Sequence, residues 1–281
     1  MKKVISASRR TDLVAFFPEW LASVLQKRGA KIHGPSGHSY TVDLDPGAVH
    51  TVVLWSKNFA NMIKNFAGLK DALLQYDQLY CHFTITGLGG TFIEKGAPSY
   101  PTALLQLGDL VDTVGTPERI TVRFDPVVYW RESGKLRTNL PIFEKIAPSF
   151  HKNGIKNIRI SFAQWYRKAV KRAAEQGFPY VDPPRSQKLE DARFLVRVAE
   201  EWGLDLFSCS QDFLTEIPWI LPSSCIDGRI LQKLHPGKEA VSRAKDKTQR
   251  TECRCTKSVD IGSYSQHCPH SCIYFYANPK T

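Results

Sequence analysis

Leu79-Tyr80-Cys81-His82-Phe83-Thr84-Ile85-Thr86 is a run of β-branched and aromatic residues bounded by Gly87. After a loop, a helical pattern over Pro101–Val114 follows and stops at Gly115. Strand, loop and helix in that order make one β/α unit. The unit recurs along the chain. Val4–Ala7, Thr51–Trp55, Ile120–Phe124, Asn157–Phe162 and Leu204–Ser208 read as further strands. Helical patterns lie at Pro18–Arg28, Asn58–Gln75, Leu140–Lys152, Phe162–Gln176 and Ser186–Trp202, with Gly154, Gly177 and Gly203 as stops.

Repeated β/α units give parallel strands joined by right-handed crossovers. About six units predict an α/β fold with a partial or complete parallel (β/α) barrel; a doubly wound open sheet is the alternative. The alternation stops after Ser210. Residues 213–281 hold Pro218, Pro222, Pro236, Pro269 and Pro279 and five of the seven cysteines. The expected organisation is a barrel domain over 1–212 and a cysteine-rich, metal-binding extension over 213–281. So short and apolar-poor a tail cannot bury a core of its own, so it should pack on the barrel, fixed by metal.

The bulk composition narrows the classes. Apolar residues make up 42% and charged residues 23%, as in an ordinary globular chain. No apolar run is long enough for a membrane span, and the apolar stretch after Lys2-Lys3 is too short for a signal peptide. A cytoplasmic location is therefore expected, with the cysteines as reduced thiols or metal ligands. The net charge of +11 permits phosphate or nucleic-acid binding. The basic residues are scattered, however. The densest stretch, Arg167-Lys168 to Lys171-Arg172, reads as a solvated helix face, which leaves nucleic acid the weakest of the partners considered.

In parallel α/β folds the active face lies at the C-terminal ends of the strands. The residues there are polar. Ser8-Arg9-Arg10-Thr11-Asp12 follows the first strand and Ser56-Lys57-Asn58 the second. Gly87-Leu88-Gly89-Gly90 follows the third, and its irregular spacing suits a turn better than a phosphate loop. Arg123 and Asp125-Pro126 close the fourth strand, Ser161 the fifth, and Ser210-Gln211-Asp212 follow the sixth. Ser56, Asn58 and Asp212 suit helix caps equally well. Lys57 and Arg123 do not, because a cation opposes the helix dipole at an N-terminus. Arg9, Arg10, Asp12, Lys57, Asn58, Arg123 and Asp125 therefore form a candidate site for a small anionic or zwitterionic ligand at a barrel mouth.

Cys253-Arg254-Cys255 and Cys268-Pro269-His270-Ser271-Cys272 place four cysteines within twenty residues. Two close thiol pairs can serve one metal centre, so Cys253, Cys255, Cys268 and Cys272 are the candidate ligands. His267 or His270 could replace one of them. The C-x-C and C-x3-C spacings are unusual for zinc and lean slightly toward iron–sulfur, with zinc the alternative metal. Cys81 reads as core. Cys209 and Cys225 are ambiguous.

Ser6-Ala7-Ser8-Arg9-Arg10-Thr11-Asp12, Trp55-Ser56-Lys57-Asn58, Phe83–Gly87, Arg123-Phe124-Asp125-Pro126, Cys225-Ile226-Asp227 and the stretch from Gln249-Arg250 to Asn278 resemble an uncharacterised bacterial family, a domain of unknown function, along nearly the whole chain. The C-terminal cysteines resemble the cluster motif of radical S-adenosylmethionine enzymes, and the Trp-Ser-Lys-Asn and Arg-Phe-Asp-Pro stretches resemble the spore photoproduct lyase branch of that superfamily. The resemblance implies a barrel, a [4Fe–4S] cluster with one open iron, S-adenosylmethionine as co-substrate and an electron donor as partner. This chain departs from that pattern twice. The motif lies at the C-terminus, and Phe275 stands where the third thiolate should be. Three readings follow: a radical enzyme in which Cys253 or Cys255 supplies the missing ligand, a non-radical protein with a closed four-cysteine cluster or zinc site, and a nucleic-acid-binding or repair protein.

Overall fold

A computed structural model describes residues 1–33, 39–263 and 265–276. Tyr264 and the Ala277-Asn278 end of the motif stretch lie outside the described residues, as does Pro279. The strands are β1 (Lys3–Ala7), β2 (Gly29–His33), β3 (Ser39–Asp43), β4 (Val49–Ser56), β5 (Leu79–Thr84), β6 (Ile120–Val127), β7 (Tyr129–Glu132), β8 (Lys135–Thr138), β9 (Asn157–Phe162), β10 (Tyr180–Val181), β11 (Asp205–Ser208), β12 (Ile220–Pro222) and β13 (Val259–Asp260). All six strands read from the sequence are present.

Eight strands form one sheet in the order β12-β11-β9-β6-β5-β4-β1-β13, and every pair in it is parallel. From β1 to β12 spatial order follows chain order, without the mid-sheet reversal of a doubly wound fold. The complete barrel is also corrected. Among the described residues β12 pairs only with β11 and β13 only with β1, so the sheet stays open. These edge strands have three and two residues, too short to carry a closing ladder.

The helices depart from the sequence reading where the backbone turns left-handed. Asn58–Gln75 is not one helix: Asn65 (φ 52°), Ala67 (φ 55°) and Gly68 (φ 72°) split it into Ala60–Ile63, a turn, and Leu69–Leu73. Pro101–Val114 divides into Tyr100–Leu104 and Leu107–Val114, and the helix expected from Phe162 starts at Arg167. The predicted stops Gly115, Gly154, Gly177 and Gly203 all have positive φ, as the C-terminal helix cap requires. Two unforeseen hairpin elements decorate the sheet. β7 and β8 flank Ser133-Gly134, both at positive φ, a geometry suited to a tight hairpin turn.

The two faces of the large sheet differ in chemistry. Ile5, Leu54, Phe83, Phe124 and Ile160 point to one side, where they join Leu21, Leu73, Leu110, Phe143 and Leu195 of the helices in one core. Each such side chain contributes about 1.5–3 kcal/mol by leaving water. The alternate positions on the other side include Ser6, His82, Thr121 and Arg159, which are polar yet buried. The tail covers this side: Cys225, Ile226, Leu231, Val241 and Cys255 pack with Val4, Val53 and Tyr80. No helix among the described residues is long and apolar enough to cross a membrane.

His50 on β4 and His235 are buried with ring centroids 4.4 Å apart. Burial holds both imidazoles below their usual pKa. The His50 ring faces Thr51 and the Glu239 carbonyl, and desolvation is the leading cause of the lowered pKa at both rings. Unfolding exposes them to water, where they take up protons near about pH 6.5. The folded chain resists that uptake until lower pH, so stability falls as acid is added. We expect a lower Tm at about pH 5.5 than at about pH 7.5, and a smaller drop in a His50→Gln/His235→Gln variant, measured by thermal melts. An equal drop in the variant would place the acid sensitivity elsewhere.

Candidate functional site

The ends of β1, β4 and β5 build one buried polar group. Asp12 caps the short helix Leu13–Phe16, with Oδ1 accepting from the Ala15 amide at 2.9 Å. Its Oδ2 accepts from Ser56 Oγ at 2.8 Å and the Lys57 amide at 2.9 Å, and lies 2.7 Å from His270 Nε2. The other nitrogen of His270 lies 3.0 Å from the Gly96 carbonyl oxygen. One carboxylate thus ties the ends of β1 and β4 to the tail.

Lys57 Nζ sits 3.0 Å from Glu94 Oε1 and 3.1 Å from the Tyr274 hydroxyl. Thr86 Oγ1 donates to the same Glu94 oxygen at 2.6 Å, and Tyr274 donates to it as well. Burial alone would lower the Lys57 pKa; the adjoining Glu94 carboxylate, together with the negative charge of other neighbours such as Asp125, outweighs it and holds the ammonium above its ordinary value. A small cleft of about 10 Å³, room for about one water, lies here, lined by Lys57, Thr84, Thr86, Gly87, Glu94 and Tyr100 among others.

Cys268 and Cys272 border this group. The backbone amides of Asp12 and His270 point to the Cys268 sulfur, and burial pushes its thiol up to about 11. Cys272 lies near Lys57, Glu94 and Tyr274, and burial pushes its thiol up too. The loop carrying them is held from outside. Arg172 donates to the carbonyls of Ile273 at 2.7 Å and Phe275 at 2.9 Å. Gly96 is required beside it, because a Cβ there would fall 2.2 Å from the Pro269 carbonyl oxygen.

The second group lies on the inner face of the sheet. The Trp55 ring stacks on His82 with centroids 4.1 Å apart, and the guanidinium groups of Arg9 and Arg123 lie 5.3 and 5.2 Å from its centroid. Arg123 pairs with Asp125 and donates to Cys225 Sγ at 3.0 Å; Ser161 Oγ also donates to Asp125. Asp260 on β13 accepts from Ser6 Oγ at 3.0 Å, Ser8 Oγ at 2.7 Å and the Arg9 amide at 2.9 Å. Arg159 donates to Thr121 Oγ1 at 2.5 Å and to the Ser224 carbonyl at 2.7 Å.

Four sulfurs adjoin these arginines. Cys209 and Cys225 Sγ are 3.4 Å apart, and the Cys255 sulfur contacts those of Cys225 and Cys253. Hydrogen bonds from Cys209 and Cys255, helped by Arg123 and Arg159, hold Cys225 well below the usual thiol range. A hydrogen bond from Cys255 brings Cys253 down to about 6.

The candidate residues named from sequence therefore divide. Asp12 and Lys57 belong to the strand-end group. Arg9, Arg123 and Asp125 belong to the inner face, where Arg10 also donates to the Gly262 carbonyl at 2.7 Å. Asn58 closes a turn just ahead of the helix Ala60–Ile63: its Oδ1 accepts from the Ala60 amide at 3.1 Å and from Gln106 Nε2 at 3.0 Å. Cys253 and Cys255 meet Cys209 and Cys225, while Cys268 and Cys272 sit at the strand ends. Among the described residues no hydrogen bond joins the two cysteine pairs. Cys81 is core, as expected.

Glu94, Tyr274, His82, Arg159 and Asp260 escaped the sequence reading. Only Arg159 carried a clear signal, as a cation at an alternate position inside the apolar strand Asn157–Phe162. Removing the shared acceptor should loosen the whole strand-end group. Asp12→Ala leaves Ser56, the Lys57 amide and His270 without it, and should cost about 2–5 kcal/mol in urea unfolding. Asp12→Asn should cost less, and an unchanged midpoint in Asp12→Ala would refute the assigned role.

Comparison with known proteins adds a family and no activity. No curated protein matches the chain. A family model spans residues 4–277, and the chain therefore belongs to the family described as a domain of unknown function, DUF1848.

Proposed function

We propose that this chain is an iron–sulfur protein of non-radical type, whose cluster is structural or carries electrons beside a small-ligand cleft at the strand ends. The observation that carries the reading is the division of the cysteines. Cys268 and Cys272 border the group of Asp12, Lys57 and Glu94 at the ends of β1, β4 and β5, Phe275 offers no ligand, and Cys253 and Cys255 are engaged with other thiols. A three-thiolate cluster with an open iron does not fit the residues there. Buried thiols grouped beside arginines on the inner face do fit an anionic cluster. The cleft has room for about one water, so a zwitterion would enter only as Lys57 and Glu94 part, its carboxylate taking the place of Glu94 at Lys57 and its ammonium that of Lys57 at Glu94.

One observation favours a radical reading. The Cys268–Cys272 loop lies at the C-terminal ends of β1, β4 and β5, the active face of parallel α/β folds, and two backbone amides point to the Cys268 sulfur. The sheet would then be a partial barrel in the sense of the radical S-adenosylmethionine enzymes. The nucleic-acid reading has less support, since the inner-face arginines lie beneath the tail.

Protein purified without oxygen should contain iron and acid-labile sulfide and absorb broadly near about 400 nm, as thiolate-ligated clusters do. Zinc alone would overturn the iron–sulfur assignment. After reduction with dithionite, wild type should cleave no S-adenosylmethionine above the protein-free control; cleavage would establish the radical reading. Phe275→Cys should raise iron content or alter the spectrum, and identical spectra would put position 275 outside any metal site.

A further inference from the structure

We propose that Cys209, Cys225, Cys253 and Cys255 are the four ligands of one iron–sulfur cluster, and that Arg9, Arg123 and Arg159 form the cage that balances its charge. The inference rests on the reading above and names the sulfurs that hold the cluster. They arrive from three places in the chain: the end of β11, the segment leading into the helix Gly228–Leu234, and the Cys253-Arg254-Cys255 turn. Sequence spacing alone could not bring them together.

Three observations converge. Cys209 and Cys225 Sγ are 3.4 Å apart, and Cys255 neighbours both Cys225 and Cys253, so the four sulfurs lie side by side in the order Cys209–Cys225–Cys255–Cys253. Donors already point at them, as ligating thiolates require: Arg123 Nη1 to Cys225 Sγ at 3.0 Å and the Ile226 amide to Cys255 Sγ at 3.4 Å.

Charge is the third observation. Arg123 is paired with Asp125, and Arg9 lies beside Asp260, but the side-chain hydrogen bonds of Arg159 go to a hydroxyl and a carbonyl. Arg159 is only 3% exposed. A buried guanidinium without a carboxylate is costly and calls for an anion. Among the described residues Arg9 Nη2, Arg159 Nε and His82 Nδ1 are buried without a hydrogen-bond partner. All three belong to side chains around the sulfur row. A thiolate-ligated cluster supplies negative charge where these groups need it.

The arrangement of the sulfurs favours a cluster over zinc. In a tetrahedral zinc site with Zn–S near about 2.3 Å, every sulfur pair falls at roughly 3.8 Å. Among the described residues, the group of three ligand atoms all within 4.8 Å of one another is Asp77, His235 and Glu239, with no cysteine in it. Both carboxylates of that group are already paired with Lys2, 3.1 Å from Asp77 and 3.0 Å from Glu239. Two close sulfur pairs suit a two-iron cluster in which each pair holds one iron.

The test compares full-length wild type, Cys209→Ser, Cys225→Ser and a Cys268→Ser/Cys272→Ser variant, all purified without oxygen. Iron, sulfide and zinc are counted per chain, and the reduced proteins are examined by electron paramagnetic resonance. Wild type and the Cys268→Ser/Cys272→Ser variant should hold equal iron and give the same spectrum. Cys209→Ser and Cys225→Ser should lose most of the iron or show a shifted spectrum, with circular dichroism confirming the fold. Iron that departs with Cys268 and Cys272, and stays in Cys209→Ser and Cys225→Ser, overturns this inference while leaving an iron–sulfur protein. A wild type without iron or sulfide overturns the broader reading. Arg159→Gln keeps all four sulfurs and guards against misfolding of the serine variants. Loss of its buried cation should lower the reduction potential of the cluster, and an unchanged potential would remove Arg159 from the cage.

Discussion

Burying guanidinium groups on one face of a parallel sheet is the constraint on which the rest of this structure depends. Arg9, Arg123 and Arg159 project toward the same side as Trp55 and His82. A cation beneath a protein layer must find an anion, an aromatic face or a set of acceptors. Here Trp55 supplies the face, Asp125 and Asp260 supply two carboxylates, and the tail supplies carbonyls and thiols. The opposite side of the sheet has no such demand and is filled by aliphatic and aromatic side chains against the helices. One sheet thus has an ordinary hydrophobic core on one side and a polar chamber on the other.

That division explains the course of the chain's C-terminal quarter. A tail poor in apolar periodicity gains few contacts on its own, but it can cover a polar chamber because it brings what the chamber needs. β13 places Asp260 opposite Ser6, where it meets Ser8 and the Arg9 amide. Gly262 is fixed by the same approach, since a Cβ there would lie 2.0 Å from Ser8 Oγ. The Ser224 carbonyl meets Arg159, and the Cys225 sulfur meets Arg123. Covering the sheet and completing its electrostatics are therefore one event.

Much of the fold was legible in the sequence because strands and helix stops have local causes. Apolar runs set the six main strands, and four glycines ended four helices through the left-handed conformation they adopt without strain. The break at Asn65 and Ala67 was not legible: nothing in Ala67 itself announces a positive φ. The short edge strands were hidden for another reason, since their pairing depends on the tail's path. The site divides similarly. Asp12 and Lys57 were visible at strand ends, but the cysteine grouping was not. Nearness in sequence joined Cys253 and Cys255 to Cys268 and Cys272, whereas nearness in space joins them to Cys209 and Cys225.

The strand-end loop shows why a phenylalanine is tolerated at position 275. Besides the amides of Asp12 and His270 at the Cys268 sulfur, its course is set by contacts that involve no thiol: Asp12 with His270, Gly96 with Pro269, and Arg172 with the carbonyls of Ile273 and Phe275. A loop fixed this way keeps its geometry with two cysteines or three. The Cys253-Arg254-Cys255 turn is held differently. Asp246 donates its amide to the Cys255 carbonyl at 2.8 Å and Thr256 its amide to Ile226 at 2.9 Å, which anchors Cys255, while Cys253 closes a turn on Arg250. Its sulfurs then face other sulfurs and the guanidinium of Arg9. The chamber sulfurs thus lie among one another and against guanidinium groups, whereas Cys272 in the strand-end loop borders the Lys57 ammonium and the Glu94 carboxylate, so the two cysteine pairs meet different electrostatic surroundings.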